Sequence, residues 1–186
     1  MGTTSELRLT NADLEAVPED GNRYEVVDGE LYVSSAPGYV HQIVLINIAM
    51  AIGIYLREHP IGRVLPGVGI IFDDYNSVIP DLVFVTNERI RKTLAGGRFH
   101  GAPEIVIEIL SPGKSNERRD RHVKRSLYAA RGVSEYWLAD PENQTVELYL
   151  RNQANELAFD RSLLQADELT SALLPGFSVR VGTLFV

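Results

Sequence analysis

The sequence predicts an α+β fold: a mixed β-sheet flanked by helices, with an N-terminal β-hairpin. Three observations carry this. Two β-rich arms flank Asp28-Gly29, a dipeptide suited to a type I′ turn. Residues 105–110 (Ile-Val-Ile-Glu-Ile-Leu) form a near-continuous apolar run, as a central strand buried on both faces should. The order is hairpin, helix, several strands, helix, strands, rather than a regular alternation of strand and helix.

Each element follows from local chemistry. Residues 9–14 read as a short helix with Thr10 as its N-cap. Residues 24–33 form the hairpin. Over residues 40–56, Ile43, Ile46, Met50 and Ile54 recur at helical spacing, which predicts a long helix ending before Pro60. Residues 63–65 and 69–72 are candidate strands, with a polar turn over 73–77. Residues 78–85 read as one strand carrying Pro80 and Asp81 near its start. A short helix over 88–94 leads to a Gly-Gly loop. A helix over 116–131 is stopped by Gly132. Residues 135–140 and 146–150 are further strands, and 177–181 a last strand after a Leu-Pro-Gly turn.

Composition narrows the function. The chain has 186 residues, enough for a single domain over 1–186 that buries roughly 70% of its unfolded surface. The absence of Cys excludes disulfide scaffolds, thiolate metal sites and cysteine nucleophiles. Residues 1–6 lack the basic start and apolar core of a secretory signal. Uninterrupted apolar runs are short beside the roughly 20 residues of a spanning helix, so a cytoplasmic protein with no membrane partner is the expectation. The net charge of −7 argues at first against nucleic acid. The distribution reverses that. Residues 89–131 hold eleven basic residues against four acids, a balance of +7, leaving seven basic residues and 21 acids elsewhere, −14. A phosphate backbone could dock on that stretch; the plainer alternative is that its arginines pair with acids from other elements.

Glu108 is the most informative residue. A carboxylate in an apolar strand is costly unless paired, protonated or bound to metal, and an ion pair with an arginine would satisfy it too. Asp81 lies in a second strand after Pro80. Two strands each giving one carboxylate suit Mg²⁺, which takes one or two carboxylates plus waters and substrate phosphate. On the following helix, Asp120, Lys124 and Tyr128 stand at i, i+4 and i+8, either as a functional face or as an ordinary surface pair. Of three lysines, Lys124 is the best placed for an ammonium near such a metal, and Lys114 the next. Gly113-Lys114-Ser115 lacks the preceding glycine of a P-loop, Gly67-Val68-Gly69 lacks a third glycine, and the four His show no zinc spacing.

These pieces, in order, resemble the PD-(D/E)XK nuclease superfamily, and more closely its Uma-type family of restriction endonucleases. The matching text is residues 24–31, His41, Pro80-Asp81-Leu82-Val83, Glu108-Ile109-Leu110-Ser111-Pro112, Asp120, Lys124, Tyr128, Glu135-Tyr136-Trp137 and Leu174-Pro175-Gly176-Phe177. The resemblance implies a restriction-endonuclease-like core, Asp81 and Glu108 as ligands of Mg²⁺ or Mn²⁺, DNA as substrate and a homodimer. It implies a catalytic role for Lys124, which would replace the lysine that the pattern places where Leu110 stands. Glu25 resembles the extra N-terminal acid of such sites. His41, Lys114, Arg118, Asp120 and Tyr128 are possible substrate contacts. The rival reading is an inactive descendant of the fold that binds nucleic acid or protein.

Overall fold

Asp28 and Gly29 both take positive φ, 52° and 83°, and Val27 pairs directly with Glu30, the geometry of a two-residue type I′ hairpin. The computed structural model describes residues 8–186, apart from the side chains of Lys114 and Ser115. The N-terminal hexapeptide and the Lys114 side chain considered above therefore lie outside the described residues. A 3₁₀ turn, Asn11–Ala16, follows Thr10, whose backbone N–H donates to the Asp13 carboxylate at 2.7 Å.

The hairpin is β1 (Arg23–Val27) and β2 (Glu30–Ser34), followed by helix α1 (Tyr39–Glu58). Next come β3 (Gly62–Pro66), β4 (Ile70–Asp73), β5 (Asn76–Val78), β6 (Leu82–Thr86) and α2 (Asn87–Thr93). A small hairpin, β7 (Leu94–Ala95) and β8 (Arg98–Phe99), precedes β9 (Ile105–Ile109). One continuous helical segment then comprises α3 (Lys114–Arg118), a π-helical stretch (Arg119–Lys124) and α4 (Arg125–Arg131). It ends on Gly132 at φ 96°. Strands β10 (Glu135–Asp140), β11 (Thr145–Arg151), β12 (Leu157–Leu163), β13 (Glu168–Ser171) and β14 (Leu174–Arg180) follow, with a closing 3₁₀ turn, Val181–Phe185.

Two six-stranded sheets result, ordered β2-β1-β5-β4-β8-β7 and β12-β11-β10-β9-β6-β3, with β13 and β14 as a separate hairpin. Both sheets are mixed: β9 runs parallel to β10 and antiparallel to β6, and β4 runs parallel to β8. The central sheet is buried on both faces, which explains its apolar runs. Leu82, Phe84, Ile105, Ile107, Ile109 and Trp137 pack toward α1. Val83, Val106, Tyr136 and Leu138 pack with Leu127 and Tyr128 of α4. By alternation, Glu108 falls on the α4 face with Val106.

Several expectations are corrected. Residues 78–85 are not one strand: β5 and β6 belong to different sheets, and Ile79-Pro80-Asp81 is the crossing between them. Pro80 has no N–H for a ladder, so the break falls there. Asn76 and Ser77 lie in β5 rather than in a turn, and Leu174-Pro175-Gly176 opens β14. The buried side of α1 is His41, Val44, Ile48, Ile52 and Leu56, not the set containing Ile46, Met50 and Ile54, which are 51%, 55% and 60% exposed. A helix apolar on all sides carries no polar stripe to say which side faces in. For the same reason α1 is long and apolar enough to cross a membrane by length and composition, contrary to the impression its short runs give; its inner side packs on the central sheet.

Candidate active site

The sheet crossing at Asp81, the end of β9, strand β1, the start of α1 and the π-helical stretch meet around one small cavity of about 30 Å³. Asp81 is pinned from three sides. Arg23 Nη1 donates to its Oδ1 at 3.0 Å, the Ile109 N–H donates to Oδ2 at 2.9 Å, and His41 Nε2 stands 3.0 Å from Oδ2. Its own N–H donates to Glu108 Oε2 at 3.3 Å. The other Glu108 oxygen, Oε1, accepts from Lys124 Nζ at 3.0 Å and from the Tyr128 hydroxyl at 2.7 Å. Lys124 Nζ also reaches Glu25 Oε1 at 2.9 Å, and Glu25 accepts the Ile79 N–H at 2.7 Å. Thus Glu25, Asp81, Glu108 and Lys124, separated by up to a hundred residues, form one buried network.

Electrostatics follow from this packing. Burial alone would raise Asp81; the His41 hydrogen bond and charge and the Ile109 N–H outweigh it and hold the carboxyl at about 2. Burial pushes Glu108 up to about 8, against the pull of Lys124, with Asp81, Asp120 and Glu25 adding to the rise. Burial works against the Lys124 ammonium as well, but Glu108 and Glu25 more than offset it and hold it charged. A charged ammonium has no lone pair with which to take a proton, so Lys124 is equipped to stabilise negative charge.

The remaining expected residues divide. Tyr128 and His41 join the cluster; His41 is buried, and among the described residues its Nδ1 has no hydrogen-bond partner. Asp120 is buried beside it, held by Arg119 Nε at 2.8 Å, and its carbonyl accepts from Tyr136. Arg118 is exposed on α3, outside the cluster. Position 110 is a leucine buried in the apolar layer under α4. Arg23 and Arg119 were not foreseen as site residues. The available signal was alternation, since Arg23 and Glu25 share one face of β1. Part of the basic stretch is neutralised: Arg89 pairs with Glu104, Arg119 with Asp120, Arg121 with Glu147, and Arg131 with Asp73. The pairing alternative holds for these, while Arg91, Arg98 and Arg118 are exposed.

Among the described residues, no group of three or more His, Cys, Asp and Glu is arranged to hold a metal ion. The cavity instead offers two carboxylates, Asp81 and Glu108, and space for about one or two water-sized occupants. That is the donor set Mg²⁺ accepts when waters and a substrate phosphate complete its shell, so the residues fit such an ion. Beside this cavity, sharing His41 and Ser111 with it, lies a cleft of about 740 Å³.

A mixed-sheet core with two acids from neighbouring strand ends and a lysine from the adjoining helix defines a restriction-endonuclease-like protein. The chain belongs to the Uma2 family, described as "Putative restriction endonuclease", whose model matches residues 12–182. Among solved structures it is similar to a "putative nuclease belonging to DUF820" from Anabaena variabilis ATCC 29413. That likeness has 22% identity and a TM-score of 0.77, and covers 95% of this chain and 97% of the other. No curated protein matches the chain.

Proposed function

We propose that this protein is a PD-(D/E)XK-type endonuclease that hydrolyses DNA phosphodiester bonds with Mg²⁺ or Mn²⁺. The observation that carries the reading is the convergence of Glu25, Asp81, Glu108 and Lys124, from four separate elements, in one buried network. Asp81 and Glu108 would hold the ion, which when bound supplies Lewis-acid polarisation and an activated water. Lys124 would supply the charge that the family pattern takes from a lysine at the position of Leu110. Its charge is suited to the anionic transition state, and Tyr128 fixes the Glu108 oxygen that Lys124 shares. His41 and Arg23 orient Asp81.

The decisive test is nicking of supercoiled plasmid with Mn²⁺, with Glu108→Gln as control. Nicking by the parent and none by the control is expected; nicking by both would place the chemistry elsewhere or in a contaminant. One observation favours the inactive-descendant reading: both Asp81 oxygens and the Glu108 carboxylate already have internal partners. Calorimetric titration separates the two. Millimolar Mg²⁺ or Mn²⁺ binding that Asp81→Ala abolishes supports the nuclease, and no binding even with DNA present supports the descendant.

The same reading extends to a homodimer. Its support is the exposed stripe Ile46, Met50 and Ile54, on a helix with no Asp, Glu, Lys or Arg between Tyr39 and Leu56. Such a face can meet its own copy across a two-fold axis without opposing like charges.

A further inference from the structure

The 740 Å³ cleft beside the acid network has no role in the reading above, and its lining differs from that of a phosphate site. Its volume falls in the range that encloses one small ligand. On one side stands Tyr39, whose residue is 78% exposed although it opens a long helix at the cleft's edge. The lining also includes Ser111, Glu117, Asp140, Glu142 and Asn143, of which Glu117 pairs with Arg121 at 2.9 Å. Asp140 is spent on its own turn, accepting the N–H groups of Glu142 and Asn143 at 3.0 and 3.1 Å, which holds that loop in place. Among the described residues, no Lys or Arg lines the cleft.

From this lining we infer that the cleft receives an unpaired nucleobase adjoining the scissile phosphate, so the preferred substrate is a single strand or a strand with unpaired bases. The inference rests on the nuclease reading for the position of the phosphate, and goes beyond it in substrate class. An aromatic face stacks on any base, and carboxylate and amide oxygens accept from the exocyclic amines of cytosine and adenine. The Glu142 carboxylate disfavours a phosphate in the same place. A base inside a duplex cannot enter such a cleft without leaving its stack. Preference for the single strand over the duplex comes from contacts that only an exposed base can make.

The test uses the full chain carrying Glu108→Gln, so that binding is read without cleavage. A short single strand containing 2-aminopurine, alone or annealed to its complement, is titrated at low salt while fluorescence and anisotropy are recorded. Expected are quenching and tight binding for the single strand, about tenfold or more weaker binding for the duplex, and loss of quenching with about tenfold weaker binding in Tyr39→Ala but not Tyr39→Phe. Equal affinity for both forms, or quenching unchanged in Tyr39→Ala, overturns the inference. The two readings fail separately. Plasmid nicking by the parent without base quenching removes the cleft's role and leaves the nuclease. Quenching without any cleavage of plasmid or single strand keeps the base site and removes the nuclease.

Discussion

Replacing Lys124 by alanine should cost far more stability than a surface ion pair would. Lys124 Nζ bridges Glu25 at 2.9 Å and Glu108 at 3.0 Å, and all three side chains are only 3–4% exposed. Without the ammonium, the buried Glu25 and Glu108 lose the cation they share, with the Arg119 charge still acting on both. Breaking a buried pair in this way costs about 3–5 kcal/mol. For a chain of this size each kcal/mol lowers Tm by about 2–4 °C, so the expected fall is about 6–20 °C. Differential scanning calorimetry of the metal-free protein in EDTA reads it directly. The fall should shrink as pH is lowered, because protonated acids need no partner. It should also be largely recovered when Lys124→Met is combined with Glu25→Gln and Glu108→Gln, which removes the stranded charges together. A fall in Tm below about 2 °C in Lys124→Ala would mean the network is not a closed buried ion cluster, and the account of the site given above would fail.

Tyr128→Phe deletes one hydroxyl donating at 2.7 Å to a buried carboxylate, with an expected loss of about 1.5–3 kcal/mol in urea unfolding; an unchanged midpoint would show that the hydroxyl does not hold Glu108. Glu135 gives a pH signature. Burial raises its carboxyl, against hydrogen bonds from Ser171 and Trp137, so its contribution to stability is full below the ordinary glutamate value and is lost as pH rises through the raised one. Glu135→Gln should therefore flatten the parent's decline in Tm as pH rises above the ordinary glutamate value, and parallel profiles would contradict this. Met50→Glu places a charge in the middle of the exposed α1 stripe. If that stripe joins two copies, sedimentation should show a dimer in the parent and a monomer in the variant, and a monomeric parent with or without DNA would dismiss the interface.

Much of the site was legible because its chemistry is expensive. A glutamate inside Ile-Val-Ile-Glu-Ile-Leu has few affordable fates, and a lysine and a tyrosine four residues apart on the next helix are natural partners for it. Asp28-Gly29 was legible because positive φ at two successive residues leaves few choices of residue. What stayed hidden was non-local. His41 looks like any helix-start histidine until the fold sets it against Asp81, forty residues away. Arg23 and the acids that absorb part of the basic stretch are likewise found only by the chain's return. Strand β12 was missed because five of its seven residues are exposed, which leaves no alternation to read.

The helix carrying Lys124 has one further consequence. Its π-helical stretch, Arg119–Lys124, holds more residues per turn than the α-helix on either side. Winding the same residues as regular α-helix would turn everything beyond them by about 100°, one residue's worth of rotation, relative to everything before them. Either Lys124 and Tyr128 would swing away from Glu108, or Arg119 would leave Ser34, to which it donates at 2.7 Å. A regular helix of the same length could not keep both ends of the site engaged. The irregular turn thus works as a phase adjuster, absorbing an extra residue while both flanks of the helix stay on the site.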